Sequence, residues 1–367
     1  MRVVVVGAGI HGLSIAWAFA RAGHQVTVID QGPIPNPAAS SFDDHRLIRH
    51  AYGAEAGYTR MVDQAFSAWE QVWRDVGRRL YHPTGTLAIA FSGHGWVRDS
   101  LETLTRLGHR AAWMGPAELG QRFPMIETGD AEGAILLGTG GALLATPILR
   151  ALAEHLAGRG VTLRPHARVA AVDPERAVAR LDGGESVGGD VIAVCAGAWI
   201  GRLVPEWTTR VVPSRQAVVY LDPPDDLAPR WAIQPMVIAL GASDGLYLVP
   251  PVAGTPMKAG DHTFSRRGDP DDGREADEEE VASILAACRK RVKGFARYAV
   301  RRRSACYYSV TDDERFIVEP IGGRAWALSP CSGHGFKFGP AIGLAVVEAT
   351  LGRRRGEALV QWAAGRG

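Results

Sequence analysis

Three glycines near the start of the chain have the spacing that binds the phosphates of a dinucleotide. Gly7, Gly9 and Gly12 form the pattern G-x-G-x-x-G between a β-branched segment and a helix-like segment. The first glycine permits a tight turn, the second lets a pyrophosphate approach the backbone, and the third lets helix and strand pack closely. The N–H groups and positive dipole at the start of the helix then favour bound phosphate.

Asp30 stands where such a turn needs an acidic side chain, 18 residues after Gly12. A carboxylate at the end of the second strand accepts hydrogen bonds from a ribose diol, and its charge disfavours a 2′-phosphate. We therefore expect FAD or NAD rather than NADP, since the glycine pattern alone does not separate the first two.

The elements that position these residues form a βαβ unit with a right-handed crossover. Residues 2–6 are a short β-branched run, typical of a strand buried on both faces, residues 13–22 read as a helix closed by Gly23, and residues 25–30 read as a second strand. Further helices are predicted at 58–77, 116–123, 146–158, 281–292 and 338–351. Further strands are predicted at 85–91, 161–164, 168–173, 177–181, 190–195, 217–221, 236–240, 245–249 and 324–328.

The order of these elements predicts an α/β protein of two interleaved domains. Nucleotide-binding pieces recur at the start, middle and end, whereas strands at 217–249 follow one another without a helix, which favours an antiparallel sheet. We expect a Rossmann-like FAD-binding domain of residues 1–80, 141–215 and 305–367. We expect an α+β substrate domain of residues 81–140 and 216–304.

Composition excludes several classes of function. A formal net charge of +2 gives no reason to expect nucleic acid or an anionic membrane as a partner. The cysteines, Cys195, Cys288, Cys306 and Cys331, form no CxxC pair, so neither a zinc site nor any other metal ligand set is predicted, and a reducing cytoplasm is expected. No apolar run has the length of a membrane span.

Three further segments resemble one enzyme family. They are residues 42–53, residues 306–317 with the cysteine-tyrosine-tyrosine run at their start, and residues 332–338, and the segment 258–263 and Tyr247 fit in order and spacing. The sequence from residue 1 to about residue 350 resembles the sarcosine oxidase and N-methyltryptophan oxidase branch of the D-amino acid oxidase superfamily. It departs at Asp43, where the family usually has glycine, and at His45, where it has serine or threonine.

The resemblance implies an FAD-dependent oxidase with a carboxylate-binding pair, Arg49 and Lys337, since Arg offers a bidentate fork and Lys a point charge. It implies that Lys258 assists the reaction with oxygen. His262 and His334 would orient the amine or tune its protonation, with core packing as the alternative. Tyr247 and Tyr308 would line the pocket or cap the carboxylate.

The resemblance also implies that Cys306 carries the flavin covalently, with Arg46 as a cation that favours its thiolate. A buried inert cysteine is the alternative, and Cys195 and Cys331 are predicted as small core residues. The full set of predicted cofactor-binding residues is Gly7, Gly9, Ile10, His11, Gly12, Asp30, Gln31, Ser40, Ser41, Arg46, Arg168, Val169, Ala196, Gly197, Trp199, Cys306, Gly333, Gly335, Phe336 and Lys337.

The substrate is then an amine or amino acid, and molecular oxygen is the second partner of a monomeric enzyme. The oxidised carbon is either an N-methyl group or the methylene of an N-substituted glycine. Pro250, Pro251, Val252 and Met257 suggest an apolar wall, which favours a substituent larger than methyl. The alternatives are deamination of a primary amino acid, a flavin dehydrogenase with another acceptor, and a flavin-binding subunit without catalysis.

Overall fold

The structure, a computed structural model, describes residues 1–239 and 245–367. Its α-helices are α1 (Ile10–Arg21), α2 (Ala56–Val76), α3 (Trp96–Arg106), α4 (Pro116–Arg122), α5 (Ala145–Gly158), α6 (Ile200–Leu203), α7 (Ala228–Trp231), α8 (Glu278–Arg291), α9 (Gly339–Thr350) and α10 (Gly356–Ala363). Its strands are β1 (Arg2–Val6), β2 (Gln25–Ile29), β3 (Arg46–Ile48), β4 (Tyr81–Pro83), β5 (Thr86–Phe91), β6 (Ala112–Met114), β7 (Ala131–Leu137), β8 (Gly141–Leu143), β9 (Thr162–Arg164), β10 (Val169–Asp173), β11 (Val178–Leu181), β12 (Ser186–Gly188), β13 (Val191–Val194), β14 (Val212–Asp222), β15 (Met236–Ala239), β16 (Leu246–Val249), β17 (Met257–Gly260), β18 (Ala299–Val310), β19 (Ile317–Ile321) and β20 (Ala325–Ser329).

A six-stranded sheet in the order β19-β20-β13-β1-β2-β9 forms the nucleotide-binding half. β1 pairs parallel with both β2 and β13, and only β19 runs antiparallel to its neighbour. Val3 and Val5 pack on the helical side with α1, α5 and α9, whereas Val4 and Val6 pack against the small sheet β10-β11-β12. The β-branched run at 2–6 is therefore buried on both faces, as its composition predicts.

An eight-stranded sheet in the order β18-β14-β17-β16-β15-β5-β7-β6 forms the second half. Its pairs are antiparallel except for β15 with β5. α8 packs on one face of this sheet through Val281, Ile284 and Cys288. The predicted α/β fold with an added antiparallel sheet is confirmed; the predicted strand at 236–240 ends at Ala239, and Leu240 lies outside the described residues.

The longest strand pair of the described structure lies within the eight-stranded sheet. β14 and β18 pair along their lengths, from Val212 with Val310 to Asp222 with Ala299. The predicted domain boundaries after residues 215 and 304 fall inside these strands, so the exact division into domains stays a prediction. No helix within the described ranges is long and apolar enough to cross a membrane.

Candidate active site

A cavity of about 440 Å³ opens where β1 ends and α1 begins. This position, outside the carboxyl ends of parallel strands, is where open α/β sheets bind ligands, and the volume lies within the range of about 300–1,000 Å³ of ligand pockets. Its walls come from the β1–α1 turn, from the segment after β2, from the start of β10, from the segment after β13 and from residues 328–336.

The glycine turn has no space for side chains at two positions. Gly7 has φ of +99°, and a Cβ there would lie 2.4 Å from the carbonyl oxygen of Cys195. A Cβ on Gly12 would lie 1.8 Å from the carbonyl oxygen of Gly7, so this glycine lets α1 approach the turn without itself lining the cavity. Gly9 lines the cavity, and there a Cβ would lie 3.3 Å from Ser41 Oγ.

Asp30 organises the same turn. Its buried carboxylate accepts hydrogen bonds from the backbone N–H of Ala8 at 2.7 Å, from that of Gly32 at 2.9 Å and from the Asn36 amide at 2.8 Å. A carboxylate offers about four acceptor positions, so these three bonds leave room for one further donor. The contact of Asp30 with a ribose stays a prediction.

His11 is a half-buried residue of the cavity wall. Burial lowers the pKa of its imidazole to about 4, so the ring is neutral. Its Nδ1 is inaccessible to solvent and has no hydrogen-bond partner among the described residues, which costs about 1–3 kcal/mol.

A second cavity of about 90 Å³ adjoins the first. Arg46, Tyr308, Gly333 and Phe336 line both cavities. The structure brings every residue predicted to act on substrate or oxygen to the wall of this smaller cavity: Arg49, Tyr247, Lys258, His262, Tyr308, His334 and Lys337. Their roles stay predictions, but their convergence from four separate parts of the chain is an observation.

A buried ion cluster lies beside this cavity. The Lys258 ammonium is 2.5 Å from a carboxylate oxygen of Asp43, and both side chains are at most 5% exposed. Arg46 and the Tyr220 hydroxyl also bond to Asp43. Burial lowers the pKa of Lys258 to about 8 against the opposing attraction of Asp43. Burial alone would raise the pKa of Asp43, but Arg46 and Lys258 hold it below its usual range.

Two further basic side chains, one buried and one half-buried, have no anionic partner within the described residues. Lys337, 3% exposed, donates to the Tyr52 hydroxyl at 2.9 Å and to the His334 carbonyl at 2.6 Å. The Arg49 guanidinium lies 4.6 Å from the ring centre of Tyr52 and bonds only to a backbone carbonyl. Burial, reinforced by Arg49, lowers the pKa of Lys337 well below its ordinary value.

A hydrogen-bond chain fixes the protonation of His334. Its Nε2 lies 3.2 Å from the carbonyl oxygen of Glu314, which can only accept, so Nε2 carries the proton. Nδ1 then accepts from the Tyr52 hydroxyl at 3.2 Å, and Tyr52 in turn accepts from Lys337. Burial lowers the pKa of His334 well below its usual value, so the ring is neutral.

His262 occupies a different environment from His334. It is 38% exposed and lies 3.1 Å from the carboxylate of Glu314. Tyr52 and Tyr220 line neither cavity but hydrogen-bond to residues around the site, Tyr52 to His334 and Lys337 and Tyr220 to Asp43. Neither is among the site residues predicted from the sequence. Tyr52 lies inside the family-like segment 42–53, which was the available signal, whereas nothing local marks Tyr220.

The sequence model of the family described as "FAD dependent oxidoreductase" matches residues 2–349. The chain belongs to this family. Monomeric sarcosine oxidase from Bacillus sp. (strain B-0618) is 26% identical, and the alignment covers 95% of this chain and 92% of that protein. N-methyl-L-tryptophan oxidase from Yersinia pestis (strain Pestoides F) is 24% identical over 93% of this chain and 92% of that protein. The resemblance drawn from the sequence motifs is thereby confirmed.

The fold is also that of a solved enzyme structure. L-proline dehydrogenase from P. horikoshii superposes with a TM-score of 0.85 at 21% identity, covering 100% of this chain and 96% of that chain. At this identity the likeness concerns the fold alone. The confirmed points are therefore the fold, the family and its cofactor class, FAD, and the residues of the larger cavity fit that cofactor.

Most residues predicted to bind FAD line the larger cavity of this FAD-dependent oxidoreductase. The exceptions are Gly12, which acts in packing, Lys337, which lines the smaller cavity, and Cys306, which lines neither in the described structure. Residues on the wall that the sequence did not indicate include Asn36, Asp182, Arg202 and Cys331. Cys331 was predicted as a core residue, and this placement is wrong because Cys331 is only partly buried, whereas Cys195, which also lines the cavity, is buried as predicted.

Two other expectations need correction. Arg46 lowers the pKa of Cys306, but burial outweighs it, so the pKa of the thiol is raised rather than lowered. The apolar wall predicted at residues 250–252 and 257 does not line the smaller cavity; Met257 is buried in the core under the large sheet. The apolar part of the cavity wall consists of Leu47, Ile238, Val249 and Phe336.

Proposed function

We propose that this FAD-dependent oxidoreductase oxidises the C–N bond of a small N-substituted amino acid and passes the electrons to oxygen. One observation carries the proposal: the buried Lys337 and the half-buried Arg49 both line the smaller cavity and lie against the Tyr52 ring, and neither has an anionic partner in the described structure. Buried charges are normally paired, so a substrate carboxylate is the natural partner of these two groups.

The reaction divides between cofactor and protein. When bound, FAD accepts a hydride equivalent from the carbon next to the substrate nitrogen. Arg49 and Lys337 hold the carboxylate and thereby orient that carbon. Water then hydrolyses the resulting imine to a carbonyl compound and an amine, and oxygen takes up two electrons and two protons to become hydrogen peroxide. Lys258, charged at neutral pH, stabilises negative charge that develops on oxygen.

The smaller cavity favours a small substrate. Its volume of about 90 Å³ among the described residues is well below the roughly 300–1,000 Å³ of pockets for drug-sized ligands. The predicted apolar wall of Pro250, Pro251, Val252 and Met257, which favoured a large substituent, does not line it. We therefore favour an N-methyl amino acid or an N-substituted glycine with a short substituent.

One observation favours a second candidate, a dehydrogenase with another electron acceptor. Asp43 offsets the charge of Lys258, the group that would assist the reaction with oxygen. If this offset is complete, the reduced enzyme reacts slowly with oxygen although substrate oxidation proceeds. The two candidates share the carboxylate site and differ only in the second half-reaction.

The decisive experiment runs the half-reactions separately. We expect anaerobic mixing with a panel of N-methyl amino acids, N-substituted glycines and primary amino acids to bleach the flavin fastest with a small secondary amine. Admitting oxygen should restore the spectrum and yield one hydrogen peroxide per flavin. Bleaching by primary amino acids only would reassign the enzyme to deamination, and reduced flavin that persists in air would make it a dehydrogenase. Absence of bleaching with every acid contradicts the proposal.

We further infer a covalent flavin linkage through Cys306. Its neighbours Arg46 and Tyr308 line both cavities, and Arg46 favours the thiolate even though burial raises the pKa. Flavin colour should stay with acid-precipitated wild-type protein and appear in the supernatant after Cys306→Ala. Cys331→Ala is the matched control, because Cys331 borders the larger cavity directly. Release by the control but not by Cys306→Ala would move the linkage to Cys331.

A further inference from the structure

A group of metal-ligating side chains lies outside both cavities. His50 follows β3, Asp63 lies within α2, and His109 follows α3. One ligand atom from each residue lies within 4.8 Å of the other two. In the described structure these three residues come from separate elements, so the tertiary fold alone brings them together.

The spacing of the ligand atoms leaves room for one ion. His50 Nε2 lies 3.1 Å from Asp63 Oδ1, and His109 Nε2 lies 3.4 Å from Oδ2, the other oxygen of the same carboxylate. Ligands on a tetrahedral ion with bonds of about 2.0–2.1 Å are separated by about 3.3–3.5 Å. Each imidazole is therefore near that separation from one carboxylate oxygen, and binding of a single ion requires the exposed Asp63 carboxylate to rotate or to use both oxygens.

His50 also has a hydrogen-bond partner that suits a metal ligand. Its Nδ1 lies 3.0 Å from the Thr139 hydroxyl, which can accept the ring proton and leave Nε2 free. A lone pair on Nε2 then faces a carboxylate oxygen, an arrangement that a cation between them makes favourable.

The site has a buried side and an open side. The side chain of His50 is 4% exposed, that of His109 is 20% exposed and that of Asp63 is 51% exposed. An ion can enter from the Asp63 side, and water can supply a fourth ligand there. Two imidazoles and one carboxylate, with water in the fourth position, form a ligand set that zinc uses in proteins.

We propose that His50, Asp63 and His109 bind one Zn²⁺ ion. The ion would hold the segment after β3 against α2 and the segment after α3. Because Arg49 precedes His50 directly and lines the smaller cavity, zinc would also restrict the segment that carries this arginine. The proposal does not depend on the proposed oxidase function.

Metal content and thermal unfolding of the intact protein test this inference. After chelation and dialysis against micromolar ZnSO4, wild-type protein should retain one Zn²⁺ per chain, and its unfolding midpoint should rise by a few degrees. Asp63→Asn and His109→Gln should each lose the metal and the midpoint shift while unfolding cooperatively. His94→Gln, a partly exposed histidine outside the group, should behave as wild type.

Two results would overturn the proposal. One is wild-type protein that retains less than a tenth of an equivalent of zinc. The other is equal zinc retention by the wild type and both variants, which would place the metal elsewhere. Circular dichroism of each variant separates loss of a ligand from loss of the fold, and the isosteric Asp63→Asn change keeps the test valid if His109→Gln unfolds.

Discussion

Lys337→Met should raise the apparent Michaelis constant for an acid substrate about ten- to a hundredfold while flavin stays bound. A charge-assisted hydrogen bond to a buried carboxylate contributes about 1.5–3 kcal/mol, and each 1.4 kcal/mol is about tenfold in binding. Lys337 is 3% exposed and lies outside the wall of the larger cavity, so the cofactor should be retained. Anaerobic flavin reduction at increasing substrate concentrations measures this effect.

The pH dependence of the same measurement identifies the role of Lys337. In the free enzyme its pKa lies well below the ordinary value, and a bound carboxylate raises it again. Substrate binding therefore takes up a proton, and affinity for the acid should fall as pH rises above the pKa of the free enzyme. Lys337→Met should abolish this dependence, whereas a purely structural role would leave it in place.

Lys293→Met serves as a control because it removes an exposed lysine far from both cavities. Unchanged binding and reduction of Lys337→Met with the same acid would contradict the carboxylate site. The substrate would then be a simple amine held by the apolar part of the wall, and Arg49 would act only in packing against Tyr52 and Trp96.

The nucleotide-binding half could be predicted because its signals are local. The β-branched run, the glycine turn and the C-terminal glycine of α1 all fall within 23 residues. The predicted start of α1 at residue 13 was late, since the helix begins at Ile10 inside the glycine pattern. Residues of the turn carry no apolar periodicity, so periodicity could not show where the helix begins.

Strand β18 was not predicted, because its first part looks like a solvated basic run. Arg301 and Arg302 are exposed, yet they belong to the strand because β14 supplies backbone hydrogen-bond partners along its length. β-Propensity and polarity are properties of the residues at the exposed end of β18. Whether this end forms a strand depends on pairing with β14, which is distant in sequence. Helices α3 and α10 were also absent from the prediction.

The contacts within the buried ion cluster of the site also could not be predicted from the sequence. The sequence identified Asp43 as a departure from the family pattern, but its partner Lys258 lies 215 positions away and Tyr220 lies 177 positions away. β14 and β17 pair so that Tyr220 stands opposite Lys258, and this register comes from the sheet as a whole. Only the fold could show that the added carboxylate contacts Lys258.

Asp43→Asn should therefore change the pH profile of the oxygen half-reaction. The charged or titratable groups around Lys258 are Asp43, Arg46 and Cys306, while His45 is neutral because burial lowers its pKa to about 4. In the wild type we expect reoxidation to slow as pH rises through about 8, where Lys258 loses its proton. Removing Asp43 takes away the group that raises this pKa, so the inflection should move to lower pH.

Asp43→Asn should therefore be reoxidised more slowly than the wild type at high pH and faster at low pH. Near pH 8 its Lys258 is neutral and reoxidation should be slower, on the order of tenfold for each unit by which the inflection moves. At pH low enough to protonate Lys258, no carboxylate offsets its charge, and reoxidation should be faster than in the wild type. Anaerobic flavin reduction should change little.

The pH profiles of the two reoxidation rates should therefore cross. Stopped-flow reoxidation of substrate-reduced enzyme between pH 6 and pH 9 measures both profiles directly. Asp44→Asn is the matched control, since Asp44 is the adjacent carboxylate, pairs with Arg302 at 2.8 Å and lines neither cavity. A profile of Asp43→Asn that lies parallel to the wild-type profile would show that Asp43 does not set the charge of Lys258. Loss of the inflection in Lys258→Met, with reduction unchanged, would confirm that the titrating group is Lys258 and that Asp43 acts through it.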